Sequence, residues 1–235
     1  MVIRFPLHTV CIFLGISFCF YGFFPTISDF LPQAVLSSAQ QEHILILDPG
    51  HGGLDGGAVG IDGTKESEIN LKIAQKTGAL CNLLGIPYLL TRESEEIPYP
   101  DTAITIAEKK NADQRHRLEV INSTPNGVLM SIHQNAYPSP SVQGFQVLFG
   151  HNEESQKLGN CIQDAYNSNI ASARRLASEI PSNIYLFRDL NHTAVLIECG
   201  FISNRDECIL LQTDIHQLKL ASILTASYLQ YINSR

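Results

Sequence analysis

Basic residues form no cluster anywhere in this sequence, and no aromatic platform is interleaved with them. Sixteen Lys and Arg stand against 23 Asp and Glu, a net charge of −7, which argues against nucleic acid as a partner. The six cysteines include no C-x-x-C pair, so neither a zinc knuckle nor a dithiol redox centre is built in. Cys81, Cys161, Cys199 and Cys208 are scattered, and buried free thiols are expected of them rather than a disulfide framework. Internal repeats, low-complexity tracts and appended binding modules are also missing.

Charge itself is missing from Phe5 to Phe24, where Asp, Glu, Lys and Arg do not occur and Cys11 and Cys19 lie among apolar residues. At about 1.5 Å per residue such a helix spans a hydrocarbon core of roughly 30 Å. Residues 1–24 are therefore expected to be a membrane anchor or signal segment. The nearest small-residue cleavage pair, Ser37 and Ala39, is far downstream, which favours the anchor. Arg4 before the run and Asp29 after it put the remainder outside, so the protein is expected to be exported. Residues 25–42 carry two prolines and no clear period and read as a linker. The rest, 43–235, is long enough for one sizeable core.

From His43 onward, short β-rich runs alternate with longer helical ones. Strands are predicted at 43–48, 87–91, 127–133, 144–150 and 194–200, and helices at 65–84, 102–122, 153–168 and 214–232. This alternation predicts a single α/β domain with a largely parallel sheet. The stretch from Ile170 to Asn191 gives no clear reading. In open α/β sheets functional groups gather beyond the C-terminal strand ends. His51 follows the first predicted strand, His133 ends the third and Glu198 lies late in the last.

The stretch "LILDPGHGGLDGGAVGIDGTKESEINLKIA", Leu45 to Ala74, concentrates the chemistry. As a dinucleotide loop it fails, because Asp55 stands where G-x-G-x-x-G needs its third glycine. As a P-loop it lacks the following Gly-Lys-Ser/Thr. A metal site uses the parts better: imidazole and carboxylate are ordinary zinc ligands, and a catalytic zinc takes three plus a water. Glycines on both sides of His51 allow a sharp turn.

At 100° per residue, Glu66 shares a helix stripe with Ile69, Ile73, Thr77, Leu80 and Leu84, whereas Glu68 falls on the other side with Lys72, Gln75 and Lys76. An inward carboxylate needs a cationic partner, so Glu66 is the ligand candidate and Glu68 is expected at the surface. Strand alternation puts Leu129, Ser131 and His133 on one face. His116 is expected on a polar helix face with Gln114, Arg115 and Arg117. His151 and His192 sit in loops that could approach the site. Glu198 is a carboxylate inside an apolar strand, either a further ligand or a general base. Cys199 should turn to the opposite face.

In order along the chain, "DPGHGG", "GTKESEINL", "LLTR", "SIHQNA", "GFQVLF" and "LIECGFISN" resemble the zinc-dependent N-acetylmuramoyl-L-alanine amidases of amidase family 3. The resemblance runs from about His43 to Arg235, and the short layout with "AEKKNADQRHRLEVIN" is most similar to the germination-specific spore-cortex amidases. It implies a twisted, mainly parallel sheet flanked by helices, with Zn²⁺ held by His51, Glu66 and His133 and Glu198 as the catalytic glutamate. The implied substrate is peptidoglycan, cut between the lactyl group of N-acetylmuramic acid and L-alanine. Cys199 and Thr193 depart from the family's usual Thr/Val and Pro, at positions that are not ligands. The connection "AYPSPSVQ" gives no sign of the covering helix that some relatives insert. A polysaccharide deacetylase would carry a His-x-x-x-His pair, which this sequence does not have. A wall-binding module without chemistry would have no need of Glu66 and Glu198 together.

Overall fold

The computed structural model describes residues 43–170, 174–188 and 190–235. The expected anchor and linker, 1–24 and 25–42, lie outside the described residues. The described residues from His43 to Arg235 form one compact unit.

The chain runs β1 (Ile44–Pro49), α1 (Glu66–Leu84), β2 (Tyr88–Leu90), α2 (Ile106–Ser123), β3 (Gly127–Asn135), β4 (Gln146–Phe149), α3 (Glu153–Asn169), β5 (Ser178–Glu179), a 3₁₀ turn (Tyr185–Phe187), β6 (Thr193–Phe201), α4 (Arg205–Leu211) and α5 (Asp214–Asn233). The six strands form one sheet in the order β2-β1-β3-β6-β4-β5. β2, β1, β3 and β6 are parallel to one another, β4 pairs antiparallel with β6, and the two-residue β5 runs parallel to β4. The mainly parallel α/β expectation holds.

Side chains of the central strands alternate between two buried layers. Leu45, Leu47, Val128, Met130, Val195, Ile197 and Cys199 face α1, α3 and α5 in the larger core. Ile46, Leu129 and Leu196 face Ile121 of α2 and Phe187 of the 3₁₀ turn in the smaller one. Both faces being covered is what makes these strands near-continuous apolar runs. Cys199 therefore lies on the face opposite Glu198, as its strand position implies. Cys81, Cys161, Cys199 and Cys208 are all free thiols.

Three departures from the pattern reading have local reasons. Helix α2 starts at Ile106 rather than 102, because Thr105 and Glu108 form a reciprocal capping box. Leu84, placed on the buried stripe of α1, is 55% exposed. It is the last helical residue, and Gly85 ends the helix in the left-handed conformation with φ 67°. Between 170 and 191 lie the two-residue strand β5 and the 3₁₀ turn, both too short for any periodic signal.

Candidate metal centre and active site

Parallel register brings the ionisable groups to one sheet edge. Asp48 of β1 lies beside Ser131 of β3, and His133 of β3 beside Glu198 of β6. All four line a cavity of about 220 Å³ on the α2 side of the sheet, together with His51 and Phe187.

The turn after β1 is held from two directions by buried guanidiniums. Arg92, just after β2, donates to the carbonyls of Pro49 (2.9 Å), Gly50 (3.2 Å) and Ser67 (2.8 Å). Arg117 of α2 donates to Asp48 Oδ1 (2.7 Å), Asp113 Oδ2 (2.9 Å) and the carbonyls of Pro49 (2.7 Å) and His51 (2.5 Å). Burial would raise the Asp48 carboxyl, yet Arg117, Ser131 and Thr91 hold it below the usual range. The expectation that Arg117 sits on a polar surface is thus wrong: it is 2% exposed, while its neighbour His116 does face solvent. Held in this way, His51 adopts φ 62°, left-handed and unusual for a residue with a side chain.

Two glycines are required by contact, and the second also by conformation. A Cβ on Gly50 would sit 2.2 Å from the His133 ring. A Cβ on Gly57, where φ is 69°, would lie 2.5 Å from Glu66 Oε2 and 2.7 Å from His51 Cδ2. The glycine-rich stretch is a cradle in which two imidazoles and a carboxylate close on one point.

Glu66, the first residue of α1, is 3% exposed and faces that point, whereas Glu68 is half-buried on the helix flank. Glu66 Oε1 accepts from His133 Nδ1 (2.9 Å) and Gln134 N (3.0 Å), and Oε2 accepts from Ala58 N (2.8 Å) and lies 3.4 Å from His51 Nε2. Asn70 Nδ2 ties Gly50 O (3.1 Å) to the same carboxylate. The His51 and His133 rings meet edge to face at 5.0 Å. On its outer side, His51 Nδ1 donates to Asp55 Oδ2 at 3.0 Å, which turns Nε2 inward.

These placements drive the carboxyls apart in proton affinity. Burial alone would raise Glu66, but His133 and His51 hold it far below the usual carboxylate range. Glu198 goes the other way, pushed by burial up to about 7, with His133 opposing and Glu66 adding. Its Oε2 is buried with no hydrogen-bond partner among the described residues. Burial opposes charge on His51, but Asp55 and Glu66 outweigh it and raise the imidazole to about 9. Two carboxyls pushed apart in this way mark one as a permanent anion and the other as a proton carrier.

Donor atoms of His51, Glu66 and His133 all lie within 4.8 Å of one another. Two imidazoles and one carboxylate form the donor set of a three-ligand catalytic zinc site, and a carboxylate behind the first imidazole is its customary support. The residues fit the ion. His151 and His192 do not join them. His151 pairs with Glu179 (2.8 Å) beyond the C-terminal end of antiparallel β4, and His192 contacts Thr124 O (3.2 Å) just before β6, both at the opposite sheet edge. Asp48, Asp55, Asn70, Arg92 and Arg117 are the site residues that pattern reading did not single out. Asp48 had one available signal, a carboxylate closing the apolar run "LILD".

A cluster of this kind at the strand ends of a parallel α/β sheet defines a hydrolase with a metal-ligand site. Residues 45–227 match the N-acetylmuramoyl-L-alanine amidase family. The chain belongs to that family and is a peptidoglycan amidase. It is 35% identical over 193 residues to the germination-specific N-acetylmuramoyl-L-alanine amidase of Bacillus subtilis, covering 82% of this chain and 81% of that one. The CwlD amidase of Clostridioides difficile, solved in complex with the GerS lipoprotein, is 33% identical with a TM-score of 0.78, over 82% of this chain and all of that one. LytC of Bacillus subtilis is 27% identical over 90% of this chain, which spans 40% of LytC.

Proposed function

We propose that the chain is a zinc amidase that hydrolyses the amide between the lactyl group of N-acetylmuramic acid and L-alanine, in the maturation of spore cortex. His51, Glu66 and His133 hold the zinc, and Glu198 is the general acid–base. When bound, the ion supplies Lewis-acid polarisation of the scissile carbonyl and acidifies water. The chain's own residues do the rest. Glu198, unpartnered and facing the cluster, takes a proton from the attacking water and delivers one to the departing alanine amine. Asp55 keeps His51 in the tautomer whose Nε2 points inward. Arg92 and Arg117 fix the turn that carries it. Phe187 and Leu196 line the cavity beside Glu198 and limit the water around it.

The observation that carries this reading is the pairing of a Glu66 carboxylate lodged between His133 Nδ1 (2.9 Å) and His51 Nε2 (3.4 Å) with a buried Glu198 that has no hydrogen-bond partner for Oε2 among the described residues and whose carboxyl is pushed up to about 7. A binding module needs neither. Digestion of purified peptidoglycan by the zinc-loaded protein tests it. New L-alanine amino termini are expected; free glucosamine amines would indicate a deacetylase, and retention without products a binding module. The cortex assignment draws on the likeness to the germination-specific amidase. Spores of a deletion strain are expected to contain little muramic δ-lactam, and wild-type lactam levels would reject cortex while leaving the amidase reading intact. The uncharged run 5–24 supports a location on the outer face of a membrane, with 43–235 as the catalytic domain and 25–42 as the linker. Retention in the membrane fraction after high-salt washing is expected; a soluble form starting near residue 40 would show a cleaved signal instead.

A further inference from the structure

Two non-histidine cations line the site cavity, and their circumstances are opposite. Arg117 is 3% exposed in its side chain and its guanidinium is fully engaged with Asp48, Asp113 and two backbone carbonyls. Lys110, about two helical turns earlier on α2, is 45% exposed, and its ammonium meets Asp55 Oδ2 at 2.9 Å. That oxygen is already the acceptor of His51 Nδ1 at 3.0 Å, so the two cationic partners share it. An ammonium has three donors. An ion pair this exposed is weak and exchanges partners at little cost.

We propose that Lys110 is a specificity-determining residue, whose ammonium binds a carboxylate on the peptide released by the cut. The proposal rests on the amidase reading of the same site and names which half of the substrate lies along α2. The glycan half offers no anion there, since the lactyl carboxyl is consumed in the amide itself. The peptide half carries carboxylates. In a chain of net charge −7, an accessible cation inside the reaction cavity offsets the repulsion that an acidic peptide would otherwise meet.

Reach agrees with this assignment. The bonds of 2.9 and 3.0 Å meet at one Asp55 oxygen, which puts Lys110 Nζ within about 6 Å of Nδ1, the outer nitrogen of the His51 ring. A peptide advances roughly 3.5 Å per residue. A carboxylate on the residue after the alanine therefore falls at the distance of Lys110 when the scissile amide lies against the cluster. The same ammonium then turns from Asp55 towards the substrate, leaving Asp55 to His51.

The test compares two muropeptides that differ only in the residue after alanine, which carries a free α-carboxylate in one and a carboxamide in the other. Purified full-length protein, zinc-loaded, is expected to favour the acid about tenfold in kcat/KM, mostly through KM, the scale of one charge-assisted contact at a half-exposed site. Lys110→Met is expected to bring the ratio near one, and Lys110→Arg to keep most of the preference. Lys109→Met, a change on the neighbouring side chain that stacks over Tyr99, should keep the full ratio. Zinc content measured on each variant separates lost recognition from a damaged site. Equal cleavage of both substrates by the wild type, or a wild-type ratio in zinc-loaded Lys110→Met, would overturn the inference while leaving the amidase reading standing. Cleavage of neither would overturn both.

Discussion

Replacing Glu198 by glutamine keeps the shape of the side chain and removes its capacity to carry a proton. In the folded chain burial moves this carboxyl from 4.5 up to about 7. At ~1.4 kcal/mol per tenfold change in proton affinity, ionising it in the metal-free protein costs ~3 kcal/mol, taken as an upper value. The sign follows from the direction of the shift. A carboxyl whose folded pKa lies above its unfolded one binds more protons when folded, so stability falls as pH rises from about 4.5 to 7. Above 7 the penalty is constant. Glu198→Gln should escape it, so the metal-free variant is expected to melt higher than the metal-free wild type at pH 8 and equally at pH 4. With zinc bound, the variant should keep close to one ion per chain, because three protein ligands remain. Its turnover should fall roughly 10²–10⁴-fold, the scale of a lost general acid–base group. Calorimetry at the two pH values, elemental analysis and a muropeptide assay read the three quantities. Stability gained equally at both pH values would refute the burial argument, and near-wild-type turnover would remove Glu198 from the chemistry.

Glu66→Ala is expected to lose most bound zinc and Glu68→Ala to retain it, and equal loss by elemental analysis would show that the helix faces are misread. Asp55→Ala should weaken zinc binding about 10–100-fold, as losing the support behind a metal-bound imidazole does; unchanged affinity in a competition titration would make Asp55 a bystander. Because the metal-free His51 ring keeps its proton up to about 9, zinc must displace it. Apparent affinity should therefore climb about tenfold per pH unit between 6 and 8, and a flat profile would contradict the protonated ring.

Much of the site was legible because its geometry is periodic. The 100° helical step separates Glu66 from Glu68, and strand alternation sets Ser131 and His133 on one face of their strand and turns Cys199 away from Glu198 on theirs. What lies in the supporting layer was not legible. Helix α2 is polar almost all round, with Arg117 and Ile121 its buried residues. A wheel cannot say which of Arg115, His116 and Arg117 turns inward when the deciding partner, Asp48, is 69 residues away. Arg92 sits in a loop with no period, and its targets are backbone carbonyls that carry no sequence signature. The stretch from 170 to 191 acquires its form from distant partners, such as Ile180 N donating to Phe149 O at 2.9 Å and Phe187 packing into the smaller core.

Anomalous diffraction at the zinc edge from crystals of the zinc-loaded protein tests the central claim most directly. A single strong peak is expected among His51, Glu66 and His133, with Glu198 outside bonding distance. A peak elsewhere, or one bonded to Glu198, would contradict the assignment of three ligands and a separate base.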